Sequence, residues 1–128
     1  MNMKTLAIII LSPLLLLLAA CGGQQQQQAD FIPGTYVNQA RSNFSVANDT
    51  LVITAAPGTQ NIYLITRKTG YRRIADGNES KATYQVKKLT GEWDPQKQLL
   101  QVMQTSVVVT FQPEQNKLLI GSSEYWKL

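Results

Sequence analysis

The 128-residue chain contains no histidine and only one cysteine, Cys21. Zinc sites built from Cys and His, Cys-His nucleophile pairs and Ser-His-Asp triads all need residues that are missing, and no intramolecular disulfide can form. Charge is scarce as well. Asp, Glu, Lys and Arg make up 16% of the residues, the formal net charge is +4, and the two signs are mixed without a long single-sign block. Nothing in that pattern resembles the basic arm of a nucleic-acid-binding protein. No metal, cofactor or nucleic-acid partner is expected, and a small domain without such staples must hold together through its apolar core.

One long apolar run is present, from Leu6 to Leu18, preceded by Lys4 and followed by Ala19 and Ala20. That order is the layout of a secretory signal peptide. Ser12 and Pro13 interrupt the run, which falls short of the roughly 18 to 20 apolar residues of a bilayer-spanning helix. Its end, Leu18-Ala19-Ala20-Cys21, resembles the lipobox of bacterial lipoproteins. The resemblance implies that the Cys21 sulfur takes a diacylglycerol, that the bond after Ala20 is cut, and that the new amino terminus is acylated too. Each acyl methylene buried in a bilayer contributes about 0.8 kcal/mol, so two or three chains anchor durably where one does not. The expected organisation is a signal peptide over 1–20, a lipidated flexible tether over 21–30 and a single domain over 31–128. Gly22 and Gly23 follow the cysteine where an aspartate would retain an enterobacterial lipoprotein in the inner membrane. The expected location is therefore the cell envelope, at the outer membrane.

From Phe31 onward the apolar residues recur mostly with period two, which predicts an all-β domain. In "DTLVITAA" Leu51, Ile53 and Ala55 share one face, after a turn signal at Asn48 and Asp49. "NIYLITR" reads as a strand, "KTG" as a turn using Gly70, and "GYRRI" as the return strand. "ADGNES" reads as the next turn. "KATYQVKKLTGEW" is a long strand whose alternation slips near Lys87 and Lys88, which predicts a bulge. "QLLQVMQ", "SVVVTF", "KLLIG" and "SEYWKL" follow as short strands, and "WDPQKQLL" and "FQPEQNKLL" read as two similar hairpin corners. One or two helical turns are expected in "NQARSNFSVAN", where Val37, Ala40, Arg41 and Phe44 have helical spacing. About eight short strands in some 98 residues predict a small antiparallel meander barrel, with a two-sheet β-sandwich as the alternative. Gly34-Thr35-Tyr36 in the first strand is similar to the Gly-x-Trp opening of lipocalin-like barrels, with Tyr in place of Trp and Lys127 where such barrels often carry arginine.

The candidate binding residues are Arg67, Lys68, Tyr71, Arg72 and Arg73, read as four cations and a tyrosine around one hairpin tip. Such a group suits phosphate, a lipid headgroup or an acidic sugar, although strand ends also carry solvated cations that discourage edge pairing. Tyr63, Tyr84, Trp93, Phe111, Tyr125 and Trp126 are expected to fill the core rather than line a ligand cavity. Two carboxylate pairs, Glu92 with Asp94 and Asp76 with Glu79, sit at expected turns outside any hydrolase spacing motif, so no catalytic residue is assigned. The functional expectation is a lipid-anchored envelope protein with a non-catalytic binding or assembly domain, whose partner is an envelope protein or an anionic glycan or lipid. The alternatives are a carrier of a small apolar or amphipathic ligand and an enzyme inhibitor.

Overall fold

A computed structural model describes residues 28–128. The signal peptide, the lipobox, Cys21 and the first part of the tether lie outside the described residues. Residues 28–31 are helical, and nine strands follow: β1 (Gly34–Arg41), β2 (Ser45–Ala55), β3 (Ile62–Ala75), β4 (Asn78–Glu79), β5 (Thr83–Asp94), β6 (Leu99–Val102), β7 (Val108–Gln112), β8 (Lys117–Ile120) and β9 (Ser123–Lys127). A short 3-10 turn, Pro113–Gln115, joins β7 to β8. The strands pair antiparallel in the order β2-β1-β9-β8-β7-β6-β5-β3, and β3 pairs back onto β2, so the sheet closes. The domain is an eight-stranded antiparallel barrel and not a sandwich, with β4 as an extra strand outside the ring.

The inward residues follow the period-two alternation. Leu51 and Ile53 of β2, Tyr63 and Ile65 of β3, Trp93, Leu100, Val102, Val109, Phe111, Leu118 and Tyr125 form one continuous core. Tyr36 and Ile32 are completely buried with them. Phe111 makes edge-to-face contacts with Phe31, Tyr36 and Trp93, at ring separations of 6.2, 6.2 and 6.0 Å. The two echoed corners, "WDPQKQLL" and "FQPEQNKLL", adopt matching turns: Gln98 and Asn116 both take left-handed φ angles, and the aromatics that open them, Trp93 and Phe111, touch.

The strands are very unequal in length, and this shapes the molecule. β2 and β3 pair over eleven residues and β3 and β5 over ten, whereas β1 meets β9, and β6 meets β7, over two residue pairs each. Only the lower parts of the long strands belong to the ring. Their upper parts leave it as a four-stranded blade, formed by residues 38–49 and 67–88 with β4 at its tip. The blade projects from the end of the barrel opposite to residues 28–31, because Gly34, Asp94, Gln98 and Lys127 all lie at the end where the chain enters.

Several sequence expectations are corrected here. No turn interrupts β2 at Asn48 and Asp49, nor β3 at Gly70; both strands run straight through. A Cβ on Gly70 would lie 3.2 Å from the ring of Tyr84, so this glycine makes room for a side chain rather than a bend. Residues 37–44 are not helical, since β1 extends to Arg41 and a turn at Ser42 to Phe44 leads into β2. Pairing of β3 with β5 is continuous past Lys87 and Lys88, so there is no bulge. Residues 83–88 of β5 are exposed on both faces, so burial does not impose one phase of alternation there, whereas Asp49 and Gly70 are buried within continuous strands. The turn read at "ADGNES" is present as a tight Asp76-Gly77 connection with both φ angles positive, the geometry of a type I′ hairpin.

Candidate functional site

The candidate cations do not surround a hairpin tip. Arg67, Lys68, Tyr71, Arg72 and Arg73 are strung along one uninterrupted strand, and alternation divides them between its two faces. Arg67, Tyr71 and Arg73 continue the inward face set by Tyr63 and Ile65, while Lys68 and Arg72 point outward.

Arg67 is the only member of the group whose role is internal. Its Nη2 donates to Asp49 Oδ2 at 2.6 Å and its Nε lies 3.1 and 3.0 Å from the two carboxylate oxygens. Tyr125 donates its hydroxyl to the same Oδ2 at 2.7 Å, and Thr69 donates to Oδ1 at 3.4 Å. Strands β2, β3 and β9 each contribute one or more members, so the network ties three walls of the barrel together at the base of the blade. A buried carboxylate requires this degree of satisfaction. The bond to Asp49 raises the pKa of Arg67 further. Burial, and then the same carboxylate, push the Tyr125 hydroxyl up to about 12.

Asp49 and Tyr125 were absent from the sequence-derived site. A usable signal existed for Asp49, which is in phase with Leu51 and Ile53, so a strand continued through it places a carboxylate on the inner wall and demands a cation. The Asn-Asp dipeptide instead suggested turn chemistry.

On the outer face of the blade Lys68 Nζ sits 5.2 Å from the ring centroid of Tyr84. Tyr84 and Val86 are 60% and 57% exposed. Tyr84 is thus not a core residue, and neither is Trp126, which lies outside the barrel with Lys117 Nζ 5.0 Å above its ring. Glu79 reaches Arg41 at 3.6 Å and Arg72 at 3.5 Å. Among the described residues no carboxylate pairs with Lys68, Arg73, Lys81, Lys87 or Lys88.

The charge is segregated. Eight of the eleven Lys and Arg residues in 28–128 lie in the blade, but only three of the eight Asp and Glu residues do. The remainder of the barrel carries three cations, Lys97, Lys117 and Lys127, against five carboxylates. A blade with a surplus of five positive charges therefore rises from a barrel that is slightly negative.

Three of the four paired carboxylates, Asp94, Glu79 and Asp76, have structural roles. Asp94 Oδ1 accepts the backbone N–H groups of Gln96 and Lys97, fixing the corner after β5. Glu79 serves the two arginines, and Asp76 occupies the β3–β4 turn. No cluster of three metal-ligating side chains occurs among the described residues, nor does any helix long and apolar enough to cross a membrane.

At the opposite end, Gly34, Tyr36 and Lys127 meet. Tyr36 donates its hydroxyl to the carbonyls of Phe31 and Ile32, at 2.8 and 3.1 Å. Lys127 Nζ donates to the Phe31 carbonyl at 2.7 Å and lies 4.3 Å from the Phe31 ring centroid. Burial lowers the pKa of Lys127. Gly34 has φ of 154°, and a Cβ there would stand 2.6 Å from Lys127 Cε, so the lysine crosses the strand where a side chain is missing. The entering chain is thereby pinned across the barrel floor. Compared with protein-family models, curated proteins and solved structures, the chain matches none.

Proposed function

We propose that this protein is a lipid-anchored component of the bacterial cell envelope, held through Cys21 at the outer membrane, and that its barrel is a non-catalytic binding module for an anionic partner. The basic blade is its binding surface. The segregation of charge carries this reading: eight cations against three carboxylates on one projecting element produce a field that attracts and orients polyanions. Aromatic and aliphatic groups at Tyr84, Val86 and Tyr71 stand exposed among these cations, a combination suited to sugar rings bearing acidic groups. The direction of the blade favours an anionic glycan over the anchoring bilayer, since the tethered end is the far end of the barrel.

The test is binding of the full chain to dextran sulfate, compared with vesicles of anionic phospholipid. Tight, salt-sensitive binding to the polysaccharide is expected. Reversing two blade charges, with Arg72→Glu and Arg73→Glu together, should weaken it about tenfold or more at low ionic strength. Equal binding by the double variant, with an unchanged circular dichroism spectrum, would remove the blade as the binding surface.

A further inference from the structure

The barrel interior is incompletely filled at the blade end. A cavity of about 220 Å³ lies there, walled by Ile65, Leu89, Val102, Val107, Val109 and Ile120. It exceeds the roughly 150 Å³ apolar cavity that admits benzene and falls below the about 300 to 1,000 Å³ of drug-sized pockets. A short alkyl chain fits such a space, and a whole membrane lipid does not.

Two cations stand at its rim. Arg67 and Lys87 both line the cavity and are direct partners in the β3–β5 register, so they share a face and confront each other across the ladder. Like charges placed opposite one another destabilise a sheet unless something compensates them. For Arg67 the compensation is Asp49, which engages Nε and Nη2; Nη1 makes no hydrogen bond among the described residues. The oxygens of Asp49 are at the same time engaged by Thr69 and Tyr125. Lys87 has no carboxylate partner among the described residues. Thr105, also at the rim, spends its hydroxyl on the Val102 carbonyl and the Val107 amide. The rim thus offers one guanidinium held in a fixed orientation and one free ammonium above an apolar well.

We propose that this cavity is a binding site for a small single-chain amphiphile with an anionic head. The tail fills the well, and the head lies between Lys87 Nζ and Arg67 Nη1, relieving the opposition of the two cations. The site lies at the base of the blade, at Arg67 and Lys87, whereas Arg72 and Arg73 lie five and six residues further along β3. Loss of polyanion binding in the Arg72→Glu, Arg73→Glu double variant therefore leaves it intact, and each idea can fail alone.

The experiment is methyl NMR on the full chain in phosphatidylcholine nanodiscs at neutral pH, titrated separately with sodium octanoate and with octanol. Octanoate should shift the methyl resonances of Leu89, Val102, Val107 and Ile120. Lys87→Gln, a change at an exposed position, should weaken octanoate about tenfold while altering octanol by less than about twofold, as the loss of one charge-assisted contact requires. If Lys87→Gln weakens both probes equally or neither, the cavity does not recognise an anionic head. If octanoate leaves those methyl groups unmoved, the cavity is not a site for this class of ligand.

Discussion

Asp49 is the residue on which the barrel's internal polarity turns. It is nearly buried, and it accepts hydrogen bonds from Arg67, Tyr125 and Thr69 at once. Asp49→Asn keeps the shape but removes the charge that faces the guanidinium, leaving a half-exposed arginine without its counter-ion. Since Arg67 retains access to water, the cost should be near the low end for a broken buried pair, about 2 kcal/mol, read from urea denaturation. Tyr125 makes the same network sensitive to alkali. Its folded pKa is near 12, against an ordinary value of 10.0. The unfolded chain therefore loses this proton first as pH rises, and stability falls between those two values. Burial also raises the hydroxyl pKa of Tyr36, which adds to the same trend. The melting temperature should drop as pH passes above 10, and Tyr125→Phe should reduce the slope of that drop. A melting temperature that is flat across this range would mean that burial and the bond to Asp49 do not hold the Tyr125 hydroxyl in its protonated form.

At the scale of the strand, two glycines that look alike in the sequence have opposite tolerances. Gly91 is buried on β5, and a Cβ there would lie 2.9 Å from Leu100 Cγ and 3.2 Å from Ile65 Cδ1, both in the packed wall. Gly91→Ala should cost about 1 to 3 kcal/mol through overpacking. At Gly70 the obstructing group is the largely exposed ring of Tyr84, which can swing outward. Gly70→Ala should therefore cost less than about 1 kcal/mol. Comparing the two variants by thermal melts checks the assignment of Gly70 to a strand, since alanine at a positive-φ turn would be the more damaging change. The same contrast explains what could be read from the sequence. Where strands line the barrel, alternation is sharp: Leu51 with Ile53 revealed a strand and its shared face, and Tyr63 and Ile65 are buried in the same alternating way in the next strand. Along the blade, residues 83–88 are exposed on both faces, so the apolar Tyr84 and Val86 stand on the outer face while Leu89 and Trp93 pack inward, a change of phase that reads as a bulge; turn-like residues prevailed in reading Asn48-Asp49 and Gly70. Arg67 was found as a cation but not as the partner of Asp49, because that pairing depends on a register between β2 and β3 that only continuous strands create.

For the molecule as a whole, chain entry and charge lie at opposite ends. Residues 28–31 and Lys127 close the floor, while the surplus of cations occupies the blade above the cavity. In the proposed envelope arrangement, a tether at the floor would present that blade to whatever lies away from the membrane, and the proposed anchor is Cys21. Cys21→Ser should leave the protein uncleaved after Ala20 or release it from the membrane fraction, as shown by fractionation and mass spectrometry of the processed chain. Unchanged processing and fractionation would remove the lipid anchor from the account. The proposed binding surface has a more direct test, in the backbone amide resonances of the full chain in nanodiscs titrated with dextran sulfate. The charge segregation predicts shifts gathered in residues 38–49 and 67–88 that fade as salt is raised. Shifts spread evenly around the barrel, or centred on its floor near Phe31 and Lys127, would contradict the blade as the surface that meets the partner.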